Sequence, residues 1–188
     1  MTYLSTPPES PLYEADREEL GYVPDYLGPF AHRPEVYAAW QQLGTAIRAG
    51  MDLRRYELVT VTTARRIGSE PCAFAHAAVL RDQFYDDAAL RAIVLDHHDA
   101  QLDPVDVAIM DFADRVAADP TQVTEADVEG LRQHGLSDPD IFQVVLAVSL
   151  RRFFSGVLSA VGVVPDAAYD RLDPDIRAAL KTPSNKTP

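Results

Sequence analysis

The sequence contains a single cysteine, Cys72, among its 188 residues. One cysteine excludes a disulfide bond within the chain and a zinc site built from several cysteines. Basic residues are also scarce: 17 Lys and Arg stand against 29 Asp and Glu, and the net charge is -12. A surface that neutralises nucleic-acid phosphates needs clustered Lys and Arg, so we expect no nucleic-acid partner.

Long apolar runs are missing as well. No run approaches the roughly 18 apolar residues that indicate a membrane helix. The N-terminal stretch "MTYLSTPPESPLYEADREEL" lacks the basic region and the apolar segment of a signal peptide. The sequence therefore predicts a cytoplasmic protein that has no membrane partner.

The distribution of proline predicts how the chain is organised. Six prolines crowd the N-terminus: Pro7, Pro8, Pro11, Pro24, Pro29 and Pro34. Because proline disfavours regular helix, we expect residues 1–23 to form an extended arm with at most short helical turns. Residues 24–181 are predicted to form one helical domain, and residues 182–188 a flexible tail.

Helical spacing of apolar residues predicts an all-α fold. Val36, Trp40, Leu43 and Ile47 follow one another at intervals of four, three and four, which is typical of an amphipathic helix. The stretch "LVTVTT" at 58–63 favours a strand by propensity. One short strand would have no partner elsewhere in the chain, so we interpret this stretch as a buried helix.

The apolar residues between Ser137 and Gly162 nearly surround the helix axis. This pattern indicates a central helix that is covered on most sides, in part by another subunit. Arg151 and Arg152 interrupt it, and such a pair can bind an acidic substrate or a carboxylate of a neighbouring subunit. We favour salt bridges with a neighbouring subunit.

The stretch "SEPCAFAH" at 69–76 holds the best candidates for catalysis. Ser69 is predicted to cap a helix by accepting the N–H of Cys72, whose sulfur would then lie near the positive helix end. His76 falls one turn later on the same face, where it can act as a base for a thiol. Glu57 stands in an apolar helix and needs a buried partner, so we expect it to orient His76.

A structural interpretation of the same residues remains open. A lone cysteine is among the most buried residue types and often only packs in a core. A histidine four residues away occurs by chance fairly often. In that case Cys72 has no chemical role.

The run "YELVTVTTARRIGSEPCAFAH" resembles the carboxymuconolactone decarboxylase and alkylhydroperoxidase D (AhpD) superfamily. Peroxidases of that group carry a glutamate and, twelve residues later, a C-x-x-C-x-x-x-H motif that opens the next helix. On this chain the glutamate falls on Glu57, the first cysteine on Ser69, the second on Cys72 and the histidine on His76. The stretches at 28–40 and 134–163 are similar to helices of the family as well, so the resemblance extends over residues 24–164.

The resemblance implies an all-α, AhpD-like fold, an oligomeric helical bundle that assembles into homotrimers or homohexamers. It also implies that Cys72 attacks a peroxide while His76 and Glu57 relay the proton. The first cysteine of the motif would resolve the oxidised sulfur as a disulfide. No cofactor is implied.

Ser69 departs from the family pattern, because a hydroxyl cannot form a disulfide. An oxidised Cys72 would need an external thiol or a protein reductant. Three functions follow: a one-cysteine peroxidase or oxidoreductase; a decarboxylase-like enzyme that transfers protons on a small organic acid or lactone; and a non-catalytic oligomeric scaffold.

Two further patterns carry weaker predictions. Residues 96–99 read "DHHD". Neighbours on a helix point about 100° apart, so we expect His97 and His98 not to share an ion and predict no metal site. Tyr56, Phe74 and Phe153 are predicted either to wall the pocket around the cysteine or to pack in the aromatic core.

Overall fold

A computed structural model describes residues 2–181 of the chain, apart from the side chains of residues 15, 19 and 20. The predicted tail at 182–188 lies outside the described residues. Within them the chain is helical and contains no strand, which confirms the all-α fold class. Assembly into trimers or hexamers stays a prediction.

Ten α-helices follow one another along the described part of the chain. Their bounds are α1 Leu12–Leu20, α2 Leu27–Phe30, α3 Pro34–Arg48, α4 Leu53–Arg66, α5 Glu70–Gln83, α6 Asp87–Leu95, α7 Pro104–Ala118, α8 Glu125–Gln133, α9 Asp138–Ala160 and α10 Pro174–Lys181. Short 3-10 segments cover Pro120–Gln122 and Ala167–Arg171.

Helix α4 lies at the centre of the molecule and packs against α5, α7 and α9. It contains the "LVTVTT" stretch, so the helical interpretation is confirmed. The hydroxyls of Thr60, Thr62 and Thr63 donate to the carbonyl oxygens four residues earlier, at 2.9, 2.8 and 2.7 Å. Burial of the β-branched side chains and satisfaction of their hydroxyls inside the helix override the strand propensity.

The N-terminal arm is less extended than predicted. Residues 12–20 form the nine-residue helix α1, which ends at Gly21 in a left-handed conformation. The prediction is wrong here because residues 12–23 contain no proline, and the stretch "LYEADREEL" is free to become helical. The arm also packs on the domain, since Tyr13 is 4% exposed and belongs to the core.

The apolar stripe of α3 is confirmed in part. Ile47 is buried, and the Trp40 ring stacks on Phe154 of α9 at 4.1 Å between centroids. Leu43, however, is 54% exposed, and Tyr37 is the buried residue that the spacing did not indicate. The buried face of α3 is therefore shifted toward an aromatic cluster beside α9.

Helix α9 is buried on part of its surface and apolar on the rest. It is the one helix of the described residues whose length and composition would suit a membrane span, and half of its most apolar window is buried inside the fold. Phe142 and Phe153 remain 62% and 47% exposed. The core helix of a soluble protein can have the same length and composition, so these two properties alone do not indicate a membrane span.

A buried carboxylate joins α4 to α7. Asp106 is 1% exposed. Its two oxygens accept hydrogen bonds from Arg54 Nη2 at 2.6 Å and from Arg55 Nε at 2.7 Å. Because both guanidinium groups remain partly in water, they bring charge to the carboxylate without being fully desolvated themselves.

We expect Asp106→Asn to lower the free energy of unfolding by about 2–3 kcal/mol, since it removes one partner of a buried ion pair. Urea denaturation followed by circular dichroism measures the effect. Asp138→Asn is the matched control, because Asp138 also lies in the first turn of a helix but forms an exposed pair with Arg132. Equal losses in the two variants would contradict the structural role of Asp106.

Candidate active site

A tight turn between α4 and α5 places the predicted residues opposite one another. Helix α4 ends at Arg66, Gly68 adopts a left-handed φ of 71°, and α5 begins at Glu70. The two helices return alongside each other, so Glu57 on α4 faces His76 on α5. Glycine at this turn adopts the positive φ without strain.

Glu57 and His76 form a direct hydrogen bond. His76 Nδ1 lies 2.5 Å from Glu57 Oε2, and Glu57 is 4% exposed. A carboxylate at Nδ1 favours the tautomer that donates from Nδ1 and leaves Nε2 unprotonated. The predicted pairing of the two side chains is present, and the remaining ring nitrogen can accept a proton.

Burial lowers the pKa of His76 below the ordinary value for histidine. Desolvation is the main cause, and the positive charges of Arg151 and Arg48 add to it. The negative charge and the hydrogen bond of Glu57 oppose the shift without reversing it. The imidazole is therefore neutral near pH 7, which is the form a proton acceptor needs.

The sulfur of Cys72 contacts a buried guanidinium. Arg151 Nη1, on α9, lies 3.6 Å from Cys72 Sγ, and Arg151 is only 5% exposed. Among the described residues no carboxylate pairs with Arg151, and its Nε has no hydrogen-bond partner. This side chain points into its own protein toward the sulfur, and a salt bridge of Arg151 with another subunit stays a prediction.

A cavity of about 370 Å³ brings these groups together. Cys72, His76, Glu57 and Arg151 all line it. Aromatic rings form much of the remaining wall, contributed by Tyr26, Tyr37, Trp40, Tyr56, Phe154 and Tyr169. Although Cys72 is 3% exposed, its position on the wall opens the sulfur to a reagent inside the cavity.

The walls of the cavity include one of the three aromatic residues that the sequence singled out. Tyr56 lines it, with its ring edge-on to His76 at 6.4 Å between centroids. Phe74 is buried in the core away from the cavity, and Phe153 is 47% exposed. Phe154 takes the place of Phe153, because one step along a helix turns a side chain by about 100°.

Ser69 occupies the N-cap position of α5 but does not form the predicted cap. Its Oγ has no hydrogen-bond partner among the described residues, although Ser69 is 1% exposed. The backbone explains the difference, since ψ is 90° at Ser69 but 164° and 165° at Ser137 and Thr124, where the cap bond forms. Ser69 does not line the cavity.

The sequence did not indicate Tyr37 and Trp40 as cavity residues, and the favoured prediction placed Arg151 in a subunit contact. Arg151 carried one usable signal, because a charged residue in an apolar helix has to find a partner or a ligand. The two aromatic residues resemble core residues in the sequence. Only the approach of α3 to α9 makes them walls of a cavity.

Comparisons with solved structures identify the fold. A peroxidase-related protein from Ralstonia eutropha JMP134, with an alkylhydroperoxidase AhpD core, matches with a TM-score of 0.80 and 22% identity over 97% of each chain. A peroxidase-related protein from Silicibacter sp. TM1040 matches with a TM-score of 0.79 and 26% identity over 90% of this chain and 94% of that one. No protein-family model and no curated protein matches the sequence.

A third similar structure is the debrominase Bmp8, as a cysteine-to-alanine variant in complex with 2,3,4-tribromopyrrole. It has a TM-score of 0.73 and 14% identity, and the match covers 94% of this chain and 95% of the debrominase. The chain thus has the AhpD-like fold, and the resemblance to the peroxidase-related branch is confirmed. The particular activity does not follow from the fold.

Site-specific NMR titration of the His76 imidazole tests the electrostatics. We expect a pKa below about 6.5, the usual value. Arg151→Gln should raise this pKa by removing a positive charge, whereas Glu57→Gln should lower it further. Shifts in the same direction in both variants would contradict the arrangement.

Proposed function

We propose that the protein is a thiol-dependent peroxidase that reduces organic hydroperoxides with one cysteine. The observation that carries this proposal is the buried guanidinium of Arg151, which lies beside the Cys72 sulfur and has no carboxylate partner among the described residues. A positive charge at that distance stabilises the negative charge that develops in the cavity while a peroxide is reduced. A cysteine that only packed in the core would not need a buried arginine beside it.

The neutral imidazole of His76 supplies the base in this mechanism. Cys72 and His76 lie four residues apart on one helix face, with Cβ atoms about 5–6 Å apart. The thiol proton passes to Nε2, directly or through water, and Glu57 stabilises the resulting imidazolium.

The redox step then balances within the cavity. The thiolate attacks the terminal oxygen of the hydroperoxide, the S–O bond forms and the O–O bond breaks. The sulfur becomes a sulfenic acid and the substrate leaves as an alkoxide. The alkoxide takes the proton that His76 holds and departs as an alcohol, while Arg151 stabilises the negative charge during the transfer.

The reductant in this proposal is an external thiol. Sulfenic acid and one thiol give a mixed disulfide and water, and a second thiol releases Cys72 and an external disulfide. Ser69 takes no part as a resolving group. Because the sulfur is reached through the cavity, the reductant is a small-molecule thiol or a protein with a narrow projecting thiol.

The aromatic walls favour an organic substrate over hydrogen peroxide. Six aromatic residues around about 370 Å³ offer contact to a ring or an alkyl chain, which hydrogen peroxide cannot use. The debrominase neighbour, whose complex holds a halogenated ring, supports the idea that this fold accommodates an organic molecule. A brominated pyrrole therefore belongs in the substrate panel.

We expect Cys72→Ser to abolish turnover of cumene hydroperoxide in the presence of dithiothreitol, because serine is a far weaker nucleophile at neutral pH. Hydroperoxide consumption measures this loss, and mass spectrometry with a sulfenic-acid trap checks the intermediate in the wild type. Ser69→Ala is the matched control and should retain the rate. An active Cys72→Ser variant, or no trapped adduct at Cys72, would overturn the redox proposal.

A second candidate is proton transfer on an organic acid. It is favoured by the unpartnered Nε of Arg151, which could pair with a substrate carboxylate beside the Glu57–His76 pair. In that enzyme Cys72→Ser would keep much of its rate, whereas His76→Ala would lose it. A scaffold without catalysis would be insensitive to both substitutions.

Restoring the missing cysteine should change how the sulfur is resolved. Positions three apart in a helix bring Cα atoms to about 5–6 Å, within the range that a disulfide spans. We expect Ser69→Cys to form an internal disulfide after peroxide treatment, whereas the wild type forms a mixed disulfide with the added thiol. Intact-mass analysis under non-reducing conditions separates the two products. If the variant forms only a mixed disulfide with the added thiol, the oxidised sulfur of Cys72 does not come within reach of the cysteine at position 69.

A further inference from the structure

His97 and His98 lie in an arrangement that the sequence did not predict. Helix α6 ends at Leu95, and both histidines fall in the turn that follows. The argument that neighbours on a helix point apart does not hold in this turn, so the sequence-based reason against a shared ligand is wrong. Their rings approach to 4.4 Å between centroids at an interplanar angle of 67°.

Both imidazoles converge on one carboxylate of α7. The Nε2 atoms of His97 and His98 lie 2.8 and 2.9 Å from the same oxygen of Asp111, Oδ1. The three potential donor atoms all lie within 4.8 Å of one another. Two imidazole nitrogens and a carboxylate oxygen form a donor set that suits zinc and its neighbours in the transition series.

We propose that His97, His98 and Asp111 bind a divalent transition metal ion of the zinc class, with water completing the coordination. At metal–ligand distances of about 2.0–2.1 Å in a tetrahedron, donor atoms lie about 3.3 Å apart. The Nε2–Oδ1 separations have to open by roughly half an ångström, which small side-chain rotations provide. The bound ion would lie between the two Nε2 atoms and the carboxylate oxygen, where hydrogen atoms now form the hydrogen bonds.

The surroundings of the cluster favour a cation. The Asp96 side chain accepts the N–H of His98 at 3.1 Å, which holds the turn and adds negative charge beside the site. Among the described residues no Arg or Lys forms an ion pair with Asp111, so a metal would not have to displace one. The half-exposed side chains of Asp111 and His98 leave room for water ligands.

The proposed metal site is separate from the candidate active site. None of its three residues lines the cavity around Cys72. A metal here would connect the turn after α6 to α7 and stabilise that part of the fold. The inference therefore stands independently of the peroxidase proposal.

Zinc titration of the metal-stripped protein by calorimetry tests the site. We expect one zinc ion per chain, and each of His97→Gln, His98→Gln and Asp111→Asn should weaken binding at least about tenfold. Zinc should also raise the unfolding temperature of the wild type and lose this effect in the three variants. His134→Gln is the matched control, because His134 is an exposed histidine outside the cluster, and it should bind zinc as the wild type does.

Cys72→Ser separates this site from thiol-based binding and should leave zinc affinity unchanged. Circular dichroism of each variant establishes that it is folded. Cobalt(II) added to the wild type should give visible absorption bands that the Asp111→Asn variant lacks. Three results would each overturn the proposal: failure of the wild type to bind zinc, wild-type zinc affinity in the three cluster variants, or loss of zinc binding in Cys72→Ser.

Discussion

A buried hydrogen bond between a carboxylate and an imidazole connects the two helices at the centre of this protein. Glu57 on α4 and His76 on α5 are both withdrawn from water, and each supplies the partner that makes burial of the other tolerable. The bond also orients the ring and selects its tautomer. In the proposed mechanism the proton transfer depends on this pair, because an imidazole free to rotate would not hold an unprotonated nitrogen toward the sulfur.

Helix α9 brings a positive charge into the cavity that holds the Glu57–His76 pair. Arg151 arrives from α9, far along the chain, and ends beside Cys72 without a carboxylate partner among the described residues. Its positive charge opposes protonation of His76 and so helps to keep the imidazole neutral. Aromatic side chains from α3 and α9 line the same cavity and lower its polarity, which strengthens these interactions.

Several details of the site could not be read from local sequence. Ser69 has the right residue type and position for a cap, yet its backbone torsion turns Oγ away from the bond that Ser137 and Thr124 make. Phe153 and Phe154 are neighbours of the same type, and only the docking of α9 on α3 decides which one enters the cavity. His97 and His98 follow the end of α6 at Leu95, and a turn lets adjacent side chains converge where a helix separates them.

The sequence by itself determined the helical class and the pairing of Glu57 with His76 across consecutive helices. Each of these depends on residue type and on spacing within a short stretch, where helical periodicity fixes which side chains share a face. Tertiary structure alone decided the position of Arg151 beside Cys72, which aromatic side chains line the cavity, and the convergence of His97 and His98 on Asp111. These contacts join residues that are distant in the chain or lie where the helix has ended, and their geometry follows from how whole helices pack.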